Sequence, residues 1–192
     1  MNSIPLRSAS ALALAAAALA AHAAVDFENL PNPSGVSNAQ GDPLVSGGFS
    51  FADRSRRGLI SIAPDSVLNY TGSVAITANV PRDTIDMSPV DGAAFSLASF
   101  QVANYLHNSG GVPLTITGTQ VGGGTVSQSY TTLFTDALQT VSLSGFTDLT
   151  SVSFASTNFP QIDNIVVNPT PEPSALAALG LGAAAFVKRR KR

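Results

Sequence analysis

The sequence predicts an all-β protein: a single jelly-roll-like antiparallel β-sandwich, flanked by an N-terminal signal helix and a short C-terminal transmembrane helix. Three observations carry this. Apolar residues between the ends of the chain recur with a period of two, in short runs rich in β-branched and aromatic side chains. Glycine and proline punctuate those runs at regular intervals, at Gly47-Gly48, Pro64, Pro81, Pro89, Asp91-Gly92, Gly110-Gly111, Gly122-Gly123-Gly124 and Gly145. No sustained i, i+3, i+4 stripe exists outside the two termini, and no internal repeat of fixed period suggests a solenoid.

Taken in chain order, Val25-Asp26-Phe27-Glu28 alternates apolar and acidic and reads as a first strand. Pro31 to Pro43, rich in Pro, Asn, Ser and Gly, reads as the loop that follows. Phe95, Leu97, Phe100 and Val102 mark a long strand, and Leu114 and Ile116, interleaved with Thr115, Thr117 and Thr119, mark another. Val141 with Leu143, then Leu149, Val152 and Phe154, then Ile162, Ile165 and Val167 complete a set that fits a sandwich of roughly eight to ten strands. Asn168-Pro169-Thr170-Pro171 is the expected linker, because alternate prolines cannot extend a strand ladder. The divisions are 1–24, a signal peptide; 25–168, the sandwich; and 169–192, a C-terminal tail.

Composition narrows the chemistry. Charged residues make up only 11% of the chain against 44% hydrophobic, unlike a cytosolic enzyme. Cysteine is absent, which excludes disulfides, thiolate metal sites and cysteine nucleophiles. Within 25–168 four arginines face eleven acidic residues, a formal net charge of -7, so nucleic acid is a poor partner.

The ends read as export signals. Arg7 supplies a positive start, Ala9 to Ala20 an almost unbroken Ala/Leu run, and Ala21-His22-Ala23 a cleavage site of the A-x-A type, with cleavage expected after Ala23 or Ala24. At the other end Pro171-Glu172-Pro173 precedes an apolar run of 14 residues from Ser174 to Val187 and the basic block Lys188, Arg189, Arg190, Lys191 and Arg192. As a helix the run reaches about 21 Å, short of the ~30 Å hydrocarbon core, so it spans only with thinning or snorkelling at its flanks. The basic block favours the cytoplasmic side and leaves the preceding domain outside.

Motif, Leu/Ala/Gly-rich run and basic end together resemble the PEP-CTERM sorting signal of Gram-negative bacteria. The resemblance implies an exosortase-type sorting protease as partner, with Pro171, Glu172 and Pro173 as the recognised residues. It further implies an exported protein, held in the inner membrane until processed and then delivered to the cell surface or extracellular (biofilm) matrix. No catalysis is expected; exopolysaccharide binding as a jelly-roll carbohydrate-binding module is the alternative, and a glycosidase the more distant one.

The domain's beginning and ending also resemble carbohydrate-binding-module-like jelly rolls, several of which hold a structural calcium between carboxylates of their terminal strands. The resemblance implies Glu28 and Asp163 as calcium ligands; otherwise no cofactor is expected. The remaining candidates each have a simpler reading. Arg54-Ser55-Arg56-Arg57 offers guanidinium forks to an anionic polysaccharide, or is a solvated hairpin tip partnered by Asp53. Thr115, Thr117 and Thr119 share one strand face, too few copies to order water as an ice-binding surface does. His107 is the single histidine left after signal removal and reads as a loop residue, without a G-x-S-x-G elbow to suggest a triad. Tyr70 and Tyr105 are the candidates for stacking on sugar rings.

Overall fold

The computed structural model describes residues 23–31, 37–62, 72–106, 111–133 and 137–169. The signal and tail segments fall outside them except at their inner ends, as do Tyr70, His107 and the motif and basic residues from Pro171 to Arg192. Among the described residues all regular structure is β, in 13 strands. They are β1 (Ala23–Val25), β2 (Ser37–Ala39), β3 (Leu44–Ser46), β4 (Phe49–Asp53), β5 (Leu59–Ile62), β6 (Ala75–Ala78) and β7 (Thr84–Pro89). The series continues with β8 (Phe95–Asn104), β9 (Pro113–Gln120), β10 (Thr125–Thr131), β11 (Gln139–Ser142), β12 (Leu149–Ser156) and β13 (Pro160–Pro169).

Every pairing is antiparallel, and the strands divide into two halves. One runs β2-β5-β6-β13-β8, with β1 against β13 and β11 against β8. The other runs β3-β4-β7-β12-β9-β10. They meet through the single pair Leu149↔Phe95, where β12 crosses to β8. Alternation explains why they pack face to face: in β4 Phe49 and Phe51 are buried while Ser50 and Ala52 between them are half-buried, and β9 buries Leu114 and Ile116 between threonines. Phenylalanines from the two halves meet edge-on in the core, Phe27–Phe51 at 5.3 Å, Phe49–Phe95 at 5.0 Å and Phe100–Phe154 at 5.1 Å between centroids.

Three details differ from the sequence reading. The strand count exceeds eight to ten because the chain adds strands of three residues, β1, β2 and β3, and β2 lies inside the expected Pro31–Pro43 loop. The first strand ends at Val25 instead of running to Glu28, although burial keeps alternating through Asp26, Phe27 and Glu28. The ladder continues into the expected linker, with Pro169 in register with Phe95. A proline at the last position of a strand forgoes one donor without breaking the pairing before it.

Two glycines are required by close approach. Gly47 and Gly48, at φ +56° and +82°, make the tight turn between β3 and β4, and a Cβ on Gly47 would sit 2.8 Å from Val25 Cγ2. A Cβ on Gly118 in β9 would lie 2.8 Å from Leu149 Cδ2 and 3.2 Å from Phe146 Cδ1, in the packed interior.

Candidate functional site

The site begins with an irregularity in β13. Its register against β8 is interrupted twice, between Asp163↔Gln101 and Val166↔Ser99 and again before Val167↔Leu97, and the second shift restores the register that the first one breaks. The irregularity coincides with Asn164, which takes φ 47°, a left-handed conformation that asparagine tolerates better than most side chains. Such an irregularity re-aims neighbouring side chains, and here Asp163 is fully buried instead of facing solvent.

Three chain segments converge there. Ser73 Oγ lies 2.7 Å from Glu28 Oε1 and 2.5 Å from Asp163 Oδ2. The backbone N–H of Val74 donates to Glu28 Oε1 at 2.9 Å, fixing that carboxylate beside the entrance to β6. The Asn164 side-chain amide donates to Asp163 Oδ2 at 3.0 Å and to Gln101 Oε1 at 2.8 Å, tying the irregular stretch to β8. Asp163 Oδ1 is buried with no hydrogen-bond partner. Burial pushes the Asp163 carboxyl above the usual range; hydrogen bonds from Ser73 and the Asn164 backbone oppose this, and the charges of Glu28 and Asp26 reinforce it.

The structure therefore brings together Glu28 and Asp163, the two residues that the resemblance to carbohydrate-binding jelly rolls implied, and adds Ser73 between them. The oxygen-only donor set of two carboxylates and a hydroxyl suits a hard cation such as calcium, and the orphaned Asp163 Oδ1 is the atom such an ion would satisfy. No group of three or more His, Cys, Asp and Glu forms a metal cluster among the described residues, so further oxygens would come from carbonyls or water.

The arginine segment after β4 is held down within the domain. Arg54 makes a bidentate pair with Asp86, Nη2 to Oδ1 at 2.7 Å and Nε to Oδ2 at 3.1 Å, and reaches Ser153 Oγ at 3.2 Å. Asp53 plays a different part from the ion-pair partner expected of it: its Oδ2 accepts from the Arg57 backbone N–H at 2.9 Å and from Ser55 Oγ at 3.1 Å, pinning the turn. Ser55 Oγ also donates to Asp83 Oδ2 at 2.5 Å. Burial pushes the Asp83 carboxyl up, but hydrogen bonds from Ser55, Thr84 and Asp53 outweigh it and hold the group below the usual range.

The threonines of β9 prove to be one column of a wider hydroxyl-bearing face. Thr117 stands opposite Ser127 of β10 and Ser153 of β12, and Ser153 stands opposite Asp86 of β7. Tyr105 is half-buried, edge-on to Phe159 at 5.7 Å, so its ring is engaged within the fold. Near the end of β13 a groove of about 180 Å³ is lined by Gly47, Gly48, Phe49, Pro89, Asp91, Ala93, Ala94, Phe95 and Val167. A second cavity, about 400 Å³, lies beside Asp42, Ser50, Asp53 and Arg56, and neither is lined by Glu28 or Asp163. No helix among the described residues is long and apolar enough to cross a membrane.

Comparison with known proteins gives a family match at the C-terminus and distant structural likenesses. Among solved structures, TmCBM61 in complex with beta-1,4-galactotriose aligns at 14% identity and a TM-score of 0.40, over 64% of this chain and 88% of that one. The enzymatically active domain of bacteriophage CBA120 tailspike protein 4 aligns at 9% identity and a TM-score of 0.33, over 70% of this chain and 19% of that one. No curated protein matches the chain. Residues 169–192 match the PEP-CTERM protein-sorting motif, so the chain carries at its C-terminus, directly beyond β13, the sorting signal that Pro171-Glu172-Pro173, the apolar run and the basic end resemble.

Proposed function

We propose that this chain is an exported cell-surface or extracellular-matrix protein whose acidic β-sandwich is the delivered cargo, with a structural rather than catalytic role. The observation that carries the reading is the sorting motif at 169–192, which marks a protein held at its C-terminus until exosortase-type machinery processes it. An uncatalysed matrix role agrees with the low charge content and with carboxylates engaged by serine hydroxyls and turn amides. The test is the double substitution Glu172→Ala with Pro173→Ala. Full-length protein should accumulate in the inner membrane, and normal processing of that variant would refute the sorting reading.

In the same reading, Glu28, Ser73 and Asp163 hold a calcium ion that fastens the segment after β1 to β13. EDTA should lower the melting temperature of the exported protein and added calcium should restore it, because a ligand bound by the native state alone stabilises it. A second reading, attachment to exopolysaccharide, is favoured by the hydroxyl face of β10, β9, β12 and β7, where Thr117 and Ser127 stand 3.3 Å apart. A glycan array probed with the protein tests it, and loss of signal in Thr117→Val with Ser153→Val is the expected result.

A further inference from the structure

β10 is the outer strand of its half of the sandwich, paired with β9 on one side and with no described strand on the other. The hydrogen bonds at the two ends of the β9–β10 hairpin fix which of its groups face that open side. Gln120 N–H donates to Gly124 O at 2.7 Å and Thr132 N–H donates to Val112 O at 3.1 Å, and the register between these bonds is unbroken. Bonded and unbonded positions alternate in an antiparallel pair, so Val126, Gln128 and Tyr130 direct their backbone groups to β9, whereas Thr125, Ser127, Ser129 and Thr131 aim N–H and C=O outward. Among the described residues no backbone bond satisfies those outward groups.

Exposed edges are ordinarily blunted by shortness, charge or proline. The other outer strands among the described residues, β1, β2, β3 and β11, have three or four residues, but β10 has seven. It contains neither proline nor a charged side chain, and no Asp, Glu, Lys or Arg occurs between Asp91 and Asp136. The domain's net negative charge opposes contact between copies, and over this uncharged stretch the opposition is weakest.

The sequence of β10 is also complementary to itself. Laid antiparallel about a two-fold axis at Gln128, it sets Ser127 opposite Ser129 of the second copy and Thr125 opposite Thr131, the pairs whose outward groups bond, and Val126 opposite Tyr130. Hydroxyls then meet hydroxyls on the outer face, and Val126 meets the Tyr130 ring on the inner one, where both are half-buried. The same arrangement lays the Leu133 end of each strand beside the Val121 end of the other, bringing together apolar side chains that are 64% and 60% exposed in the single chain.

We propose that β10 pairs with β10 of a second copy of this chain, joining two sandwiches through one continuous antiparallel sheet. The pairing extends β3-β4-β7-β12-β9-β10 across the axis and enlarges its hydroxyl-bearing face. The inference rests on the fold alone and stands whether or not the sorting reading does.

Absence of cysteine allows a single introduced thiol to report the pairing. Gln128→Cys places two thiols on the axis, in a non-hydrogen-bonded pair whose Cα atoms lie about 4.5 Å apart, within disulfide reach. The purified full-length protein should form a disulfide-linked dimer under mild oxidation, read as a mobility shift that thiol reverses. Val45→Cys, on β3 at the opposite edge and 56% exposed, should cross-link at least about tenfold more slowly, because only chance encounter brings its thiols together. The Gln128 side chain bonds Ser142 O at 2.9 Å, an exposed contact whose loss is common to every Gln128→Cys protein. Ser129→Pro, added to Gln128→Cys, removes an outward N–H without touching the β9 ladder. It should lower the yield at least about fivefold with melting unchanged, since two-fold symmetry counts each lost bond twice. Ser129→Lys sets two ammonium groups across the axis, should lower the yield likewise, and decides the matter if the proline variant melts early. Cross-linking of Gln128→Cys no faster than that of Val45→Cys would overturn self-pairing, as would a yield that survives both Ser129 substitutions. Gln128→Cys captured by a different protein in native membranes, with no dimer formed, would overturn it in favour of a foreign strand.

Discussion

Ser73 has one hydroxyl proton and lies within hydrogen-bond distance of two carboxylates, at 2.7 and 2.5 Å. One contact can use that proton; the other needs a proton on Asp163 or a cation drawing the oxygens together. The Asp163 carboxyl is raised, chiefly by burial, so the proton is the occupant at low pH. A carboxyl whose folded pKa exceeds its unfolded value gives stability that is whole below the unfolded pKa, about 4, and lost as pH rises through the folded value. The calcium-free domain should therefore become less stable as pH rises above about 4 through the raised Asp163 pKa, and calcium should reverse the loss by binding the ionised form. Asp163→Asn removes the charge at constant size. It should raise the calcium-free melting temperature at pH 7 by a few degrees, abolish the pH step and abolish the response to calcium. Differential scanning calorimetry of both proteins with and without EDTA checks this, and a wild-type calcium response in Asp163→Asn would sink the assignment. Glu28 and Asp163 were reached through the resemblance of the first and last strands to carbohydrate-binding jelly rolls, which the acidic residues in those two strands carry. Ser73 was not, since it precedes β6, lies 45 residues from Glu28 and 90 from Asp163, and is one serine among many.

At the scale of the element, alternation made β9 and β12 readable, because one face of each meets the core and the other meets solvent. Register irregularities and tertiary approach were not readable, since a period-two pattern carries no record of how a strand meets its partner. The Asp-Asn pair inside an apolar strand was the one available sign of the irregularity at Asn164, as asparagine is enriched at positive φ. Gly118 is the companion case: nothing local explains a glycine among the threonines of β9, but Leu149, Phe146 and Val126 fill the space a side chain would need. Gly118→Ala should cost about 1–3 kcal/mol by overpacking, whereas Thr119→Ala on the neighbouring half-buried position should stay within about 0.5 kcal/mol. Urea denaturation of the two variants compares them directly, and equal midpoints would mean that the core yields around the added methyl.

On the scale of the whole molecule, β1 lies against β13 with Ala23↔Val167 and Val25↔Ile165, so the chain enters and leaves the sandwich side by side. The segment expected to be the export signal and the sorting tail after β13 thus adjoin neighbouring points of the sheet. That arrangement was half legible: the sequence marked the sorting tail at one end and led to the expectation of a signal at the other, but only the pairing of first with last strand shows that the two segments adjoin. It also bears on the order of events. Ala23 is both the last position of the A-x-A site expected from the sequence and a residue of β1, and a peptidase needs that stretch extended and unpaired, so the expected order is cleavage first and pairing of β1 with β13 afterwards. Cleavage after Ala24 would leave only Val25 of β1, buried against the core, as the new first residue. Intact-mass measurement of protein from the native envelope and medium decides the sequence of events. The expected species lacks the first 23 or 24 residues and everything beyond the Pro171-Glu172-Pro173 region. A species that has lost the signal but kept the tail would mean a membrane-anchored, outward-facing domain whose motif is never used. A species that keeps its signal would show that β1 pairs before cleavage and closes the site, reversing the order argued from Ala23.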